Sequence, residues 1–336
     1  MLQNNRHVLP DPAPETDPLT EKARINPDWE VRSETLYFQL GPVHLGEIVL
    51  KAITLVSNPF VVDADLAIPM AEAVAQGCRA VVVPTMPVTK AFATMRFDQG
   101  VLRYAARYGD RCMVDLRGPF SEYLNKFKKK SRRNLRRAAA RFTQESNAGA
   151  GLREYRNPSE LAAFRDIAVA ISRASYKAAI GWGFPENESF ARQLERDAAA
   201  GRVRGYVLMY YGQPAAYAFC RIDHDVITYK RIGYDEHFAQ SSPGSTLLYL
   251  ILQRLFSEGE FRLFDFEGTE SYPYKEFFST RKVRCARVFW FKPRFPEIML
   301  FGGHWVVTAT WRLASLFRLR FTAREKKGWV SVRRRR

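Results

Sequence analysis

Between residues 203 and 233 the chain carries three strand-length runs: Val203–Tyr211, Ala215–Ile222 and Val226–Gly233. Only Gly212-Gln213-Pro214 and Asp223-His224-Asp225 divide them. Connections this short permit antiparallel pairing and little else, so a three-strand meander is the first commitment the sequence makes. An apolar helix must follow. It opens at Ser242-Pro243, a serine N-cap with proline at the first helical position, and shows an apolar face of Leu247, Leu248, Leu250, Ile251 and Leu255. A strand (Arg262–Phe266), a short helix around Tyr274–Phe278 and a last strand (Val283–Phe291) complete this half.

Ahead of the meander, Leu152–Tyr155 reads as a short strand, Pro158–Tyr176 as a helix and Glu188–Ala199 as a second helix. In the first half, Leu36–Leu40 and Ile48–Val56 form a strand pair around Gly41-Pro42, and Arg79–Val83 and Cys112–Leu116 are further strands. A helix is expected over Phe120–Glu145. The run Ser146-Asn147-Ala148-Gly149-Ala150-Gly151 is the clearest break. The leader, residues 1–23, with Pro10, Pro12, Pro14 and Pro18, reads as disordered. Four expected units follow: 1–23 a leader, 24–145 a first lobe ending in the basic helix, 152–292 a second lobe, and 293–336 an apolar segment with a basic tail.

The formal charge of +17 is concentrated. Residues 126–141 hold nine basic groups and no acid, and residues 312–336 hold ten with only Glu325. These two stretches total +18 and leave the rest at −1. The first has helical spacing, with Leu124, Phe127, Ser131, Leu135, Ala138 and Phe142 beneath a cationic face, either a solvated surface or an anion-binding one. The second follows Ile298–Trp311, whose one ionisable residue is His304. Fourteen residues are too few to cross a bilayer, so this segment either lies on a membrane surface or docks on the core. Cys78, Cys112, Cys220 and Cys285 lie far apart without a paired His, which argues against zinc and disulfides and suits a reducing cytoplasm. No metal site is expected. The sequence has no GxSxG, GxGxxG or Walker A stretch, so serine hydrolysis, hydride transfer and nucleotide hydrolysis lack support.

The element order, with Tyr229-Lys230-Arg231-Ile232-Gly233-Tyr234-Asp235, Ser242-Pro243-Gly244, Phe264-Asp265-Phe266 and Tyr274-Lys275, resembles the GNAT superfamily and within it the CelD/BcsL-type acetyltransferases. Asp265-Phe266-Glu267-Gly268-Thr269 is also similar to FemAB-like relatives with a doubled fold. The resemblance covers roughly residues 35–292. It implies an α+β fold of tandem GNAT-like lobes, with mixed, mostly antiparallel sheets flanked by helices and a degenerate first lobe. In Gln240-Ser241-Ser242-Pro243-Gly244-Ser245 the glycine falls one position later than in the usual pyrophosphate signature.

Acyl transfer from a thioester needs a held pyrophosphate, a deprotonated nucleophile and a stabilised leaving group. By the resemblance, Ser241, Ser242, Gly244 and Ser245 at a helix start would hold phosphate of acetyl-CoA or another acyl-CoA, with Lys275 pairing a phosphate or an acidic substrate group. Asp265 and Glu267, two apart on a strand end, share a face. Either is a candidate general base or, alternatively, a helix cap or salt-bridge partner. Tyr274 stands where this class often places the tyrosine that protonates the departing thiolate. Lys230 and Arg231 have opposite parity, so one of the two would line the cleft. Gly181-Trp182-Gly183-Phe184-Pro185 is a loop packed on the core or a wall of the acceptor pocket.

The leading expectation is direct acyl transfer from CoA to a hydroxyl or amine of a sugar, polysaccharide precursor or small molecule. The setting would be cytoplasmic, with an anionic membrane surface within reach of the tail. Aminoacyl transfer from tRNA with RNA on the basic helix, and a non-catalytic basic adaptor on membranes or nucleic acid, are the alternatives.

Overall fold

The computed structural model describes residues 29–311, apart from 41–42, 61–65, 91, 145–150, 174–182 and 271, together with residue 314. The leader 1–23, most of the Ser146–Gly151 break and nearly all of the 312–336 tail therefore lie outside the described residues.

Among the described residues eleven strands join in one sheet, in the order β1-β2-β3-β11-β5-β10-β9-β8-β7-β6, where β6 is Leu152–Tyr155, with β4 (Met95–Asp98) added against β5. In the first half β1 (Trp29–Leu40) and β2 (Val43–Leu55) form a hairpin. Helix α1 (Met70–Ala75) then crosses to β3 (Ala80–Pro87), which lies parallel to β2. In the second half the meander is β7 (Val203–Tyr210), β8 (Gln213–Asp223) and β9 (Val226–Tyr234). Helix α6 (Pro243–Glu258) crosses from β9 to β10 (Leu263–Asp265), again parallel. The two halves repeat one plan: β1-β2-α1-β3 corresponds to β8-β9-α6-β10. The α+β tandem arrangement, mostly antiparallel and flanked by helices, is the fold observed.

Beside β3 lies β11 (Arg281–Phe291), from the end of the chain, and beside β10 lies β5 (Val101–Asp115), from the first half. Each half thus lends its long strand to the other, and β5 and β11 pair with each other down the centre. Strands of the two halves are therefore hydrogen-bonded within one continuous sheet.

The basic helix is also reassigned. It is two helices, α2 (Phe120–Leu124) and α3 (Lys129–Gln144), broken at residues 125–128. Phe127, Leu135, Ala139 and Phe142 bury against Leu247, Leu248 and Ile251 of α6, in the core of the second half. Five aliphatic residues of α6 (Leu247, Leu248, Ile251, Leu252 and Leu255) are at most 1% exposed. Such burial contributes about 1.5–3 kcal/mol per side chain, and it is what holds α6 on the sheet. Gly259, at φ +66, ends the helix by donating its N–H to Leu255 O at 3.1 Å.

On the opposite face of the sheet, α4 (Pro158–Arg173) and α5 (Glu188–Ala199) cover β7 and β8 through Leu161, Phe164, Ile171 and Leu194. Phe184, 3% exposed, belongs to this cluster, in line with a loop packed on the core. Helix α8 (295–311) covers the same face of the first half, with Leu300 and Phe301 on Leu36, Tyr104 and Phe291. The expected apolar segment therefore docks on the sheet. No helix among the described residues is long and apolar enough to cross a membrane.

Candidate active site

Strands β9 and β10 pair over three residues only: Val226, Ile227 and Thr228 opposite Leu263, Phe264 and Asp265. Beyond that point β9 runs on to Tyr234 while β10 stops, so the two strands part and a notch opens on that side of β9. Parallel strands that separate in this way leave backbone groups available to a ligand.

Asp265 stands at the apex and is 0% exposed. It accepts from Arg111 of β5 at both oxygens, with Nε 2.9 Å from Oδ1 and Nη2 on Oδ2. It also accepts from Asn58 Nδ2 at 2.7 Å and from Glu267 N–H at 3.0 Å. Asn58 Nδ2 also reaches Thr228 Oγ1 at 3.0 Å, and Arg111 Nη1 donates to Thr85 Oγ1. Burial alone would raise the Asp265 carboxyl, but the Arg111 charge and its hydrogen bonds outweigh that and hold it below the ordinary carboxylate value. A carboxylate so fully bonded and kept ionised is a poor proton acceptor. The ion pair joins β10 to β5 and so links the two halves.

Glu267 follows after Phe266 in a left-handed conformation (φ +50), continued by Gly268 (φ +66). Its carboxylate is partly exposed and pairs with Lys230. The two-residue parity argument breaks down on β9, because the register against β8 shifts between Phe219 and Cys220. Arg231 pairs with Phe219 and Tyr229 with Cys220, which leaves Lys230 as the extra residue of a bulge. Its side chain reaches Glu267, while Arg231 Nη1 meets Gly183 O at 3.4 Å.

Lys275, expected to pair a phosphate or an acidic substrate group, is turned inward. It is 6% exposed and donates to the backbone oxygen of Glu267 at 2.7 Å. Burial lowers its ammonium, against the pull of Glu270, Glu267 and Asp265. Lys275 thus holds the turn after β10. Tyr274, beside it on α7 (Pro273–Phe278), is partly buried and packs edge-on against Phe266, with ring centroids 6.1 Å apart.

The serines lie at the other end of the notch. From Thr228 to Tyr234 is six residues, roughly 20 Å of strand. Gly244 sits against the Tyr234 ring, while Ser242 and Ser245 are exposed. Ser242 does not cap α6 through its side chain. It adopts φ +57, and its backbone oxygen receives Thr246 N–H at 3.1 Å. Five described non-glycine residues have positive φ. Gln99, Tyr211 and His224 occupy hairpin turns; Ser242 and Glu267 flank the notch. Strain at a helix start and at a carboxylate turn is a pattern of functional sites.

Sequence reasoning missed Asn58, Arg111, Thr85 and Gly109. Gly109 admits the 266–270 turn, since a Cβ there would stand 2.6 Å from Thr269 Cβ and 2.8 Å from its carbonyl oxygen. All four lie in the first half, more than 150 residues from Asp265, and no local signal links them to it. Among the described residues no cluster of three or more His, Cys, Asp or Glu side chains is placed to hold a metal.

Residues 129–276, from α3 to α7, match the family described as "Acetyltransferase (GNAT) domain". That stretch is somewhat less than half of the chain. No curated protein matches the sequence. Among solved structures, one similar to it is the C-terminal domain of an Agrobacterium fabrum protein described as a lysylphosphatidylglycerol synthetase (14% identity, 83% of this chain and 88% of that one, TM-score 0.49). FemX is similar at 11% identity over 80% and 90% of the two chains, TM-score 0.49. A GCN5-related N-acetyltransferase from Kribbella flavida is similar at 12% over 73% and 82%, TM-score 0.35.

Proposed function

We propose that the notch between β9 and β10 binds an acyl-CoA and transfers its acyl group to an amine or hydroxyl acceptor within a ternary complex. The observation that carries this reading is the parting of β9 from β10, inside the GNAT-class stretch, with the open start of α6 at one end and Glu267 at the other. The first N–H groups of α6 have no partner within the helix, and the exposed Ser242 and Ser245 hydroxyls stand beside them. That donor set fits a diphosphate, which the helix dipole also favours.

In the transfer step, Glu267 takes the proton from the acceptor as its oxygen or nitrogen attacks the thioester carbonyl. Lys230 fixes the carboxylate in place. Tyr274 gives its phenolic proton to the sulphur as the carbon–sulphur bond breaks. Asp265 keeps the Glu267 turn seated through the backbone N–H of Glu267. A CelD/BcsL-type role would make the acceptor a glycan or its precursor. Calorimetry of the full chain with acetyl-CoA and longer acyl-CoAs tests the reading: binding with thiol release on adding an acceptor supports it, and absence of heat with every acyl-CoA removes it.

A second reading rests on α3 and the residue before it, where Lys128, Lys129, Lys130, Arg133, Arg136, Arg137 and Arg141 are exposed. Such a face suits a charged tRNA as the acyl donor. RNA that co-purifies at low salt and is lost steeply as salt rises would favour it.

A further inference from the structure

Helix α8 is built with its polarity reversed for a water-facing helix. Its two ionisable residues both point inward. Glu297 is 9% exposed and pairs with Arg79 at 3.1 Å, and His304 is 7% exposed between Tyr104 Oη at 2.5 Å and the Tyr37 carbonyl at 3.1 Å. The exposed positions of the helix, 295, 296, 298, 299, 303, 305, 306 and 310, carry no charge, and Thr310 is the one exposed side chain among them with a polar group besides the Trp305 indole. Phe295 is 77% exposed, Met299 60%, Val306 50% and Trp305 and Ile298 45%. A helix meeting water places polar groups on that side. Close by, the β1–β2 hairpin adds exposed Leu40, Val43 and Leu45, starting three residues beyond the Tyr37 contact with α8.

The charge around this face is of one sign. Lys292 and Arg294 are exposed just before the helix, and residues 312–336 directly after it carry ten basic groups against Glu325. An apolar stripe flanked by cations complements a bilayer whose surface is anionic, with apolar side chains in the acyl boundary and basic groups at headgroup phosphates. We infer that the outward face of α8, with the basic tail, docks the protein on an anionic lipid surface. This inference does not depend on acyl transfer.

The test uses the full chain in flotation with vesicles of phosphatidylcholine alone or mixed with phosphatidylglycerol. The expected result is flotation with the mixed vesicles, weakening as salt rises, and a blue shift of tryptophan emission that Trp305→Phe removes. The outward triple variant Met299→Ser, Trp305→Ser, Val306→Ser changes exposed positions only, and circular dichroism checks that it folds. It should no longer float. Replacing Arg333, Arg334, Arg335 and Arg336 by Gln should weaken binding at least about tenfold. No flotation with either vesicle, or flotation that the triple variant leaves unchanged, would overturn the inference. So would a wild-type dimer that the triple variant makes monomeric without any vesicle binding, since a second copy would then cover the face.

Discussion

Arg111 and Asp265, 154 residues apart in sequence, form a buried two-point ion pair that ties β5 of the first half to β10 of the second. Because Asp265 also bonds Asn58 and the Glu267 N–H, this pair sets the position of the candidate site.

Asp265→Asn leaves the Arg111 charge buried without its counter-charge, and should cost about 3–5 kcal/mol in denaturant unfolding. The pH dependence has a definite sign. Asp265 is lowered in the fold, so its contribution is fully present above the unfolded value near 3.8 and disappears as pH falls through the folded value. Acid unfolding of the wild type should therefore be steeper below about pH 4 than that of Asp265→Asn.

Glu267→Gln removes the proposed base but keeps the shape of the turn. We expect kcat to fall by at least about 100-fold, with acyl-CoA affinity little changed. Stopped assays of thiol release, paired with calorimetry, separate the two effects. An unchanged kcat would transfer the base role to another group.

Ser245→Glu puts a negative charge at the start of α6, where the proposed diphosphate sits. Affinity for acyl-CoA should drop about tenfold or more in calorimetry, while the melting temperature holds or rises, because an acid suits a helix start. Ser242→Gly relieves the φ of +57 and should stabilise the fold by up to ~1 kcal/mol.

Gly109→Ala forces its new methyl against Thr269 and so displaces the turn that carries Glu267. Activity should fall further than stability, read as a larger loss of kcat than of unfolding midpoint.

His304 makes the docking of α8 sensitive to acid. The Tyr37 carbonyl can only accept, so His304 Nε2 carries the proton and Nδ1 receives the Tyr104 hydroxyl. Burial lowers the imidazole below its ordinary value, against the Tyr37 bond. The unfolded chain then binds the extra proton first, so stability is complete above about pH 6.5 and declines as pH falls below it. Melting scans of wild type and His304→Gln from neutral to mildly acidic pH should diverge at neutrality and converge in acid.

Local patterning was enough to read most of the second half. The meander, α6 opening at Ser242-Pro243, and the strand–helix–strand finish depend on tight turns, caps and apolar periodicity, all of which act over a few residues. Strand β5 was seen only at its Cys112–Asp115 end. Arg103, Arg107 and Arg111 interrupt its alternation, and a strand buried at the centre of a sheet does not need to alternate. The exchange of β5 and β11, the Arg111–Asp265 anchor and the inward turn of Lys275 arise from contacts between segments far apart in sequence. No window of neighbouring residues encodes such contacts, because their energy exists only once the chain has closed on itself.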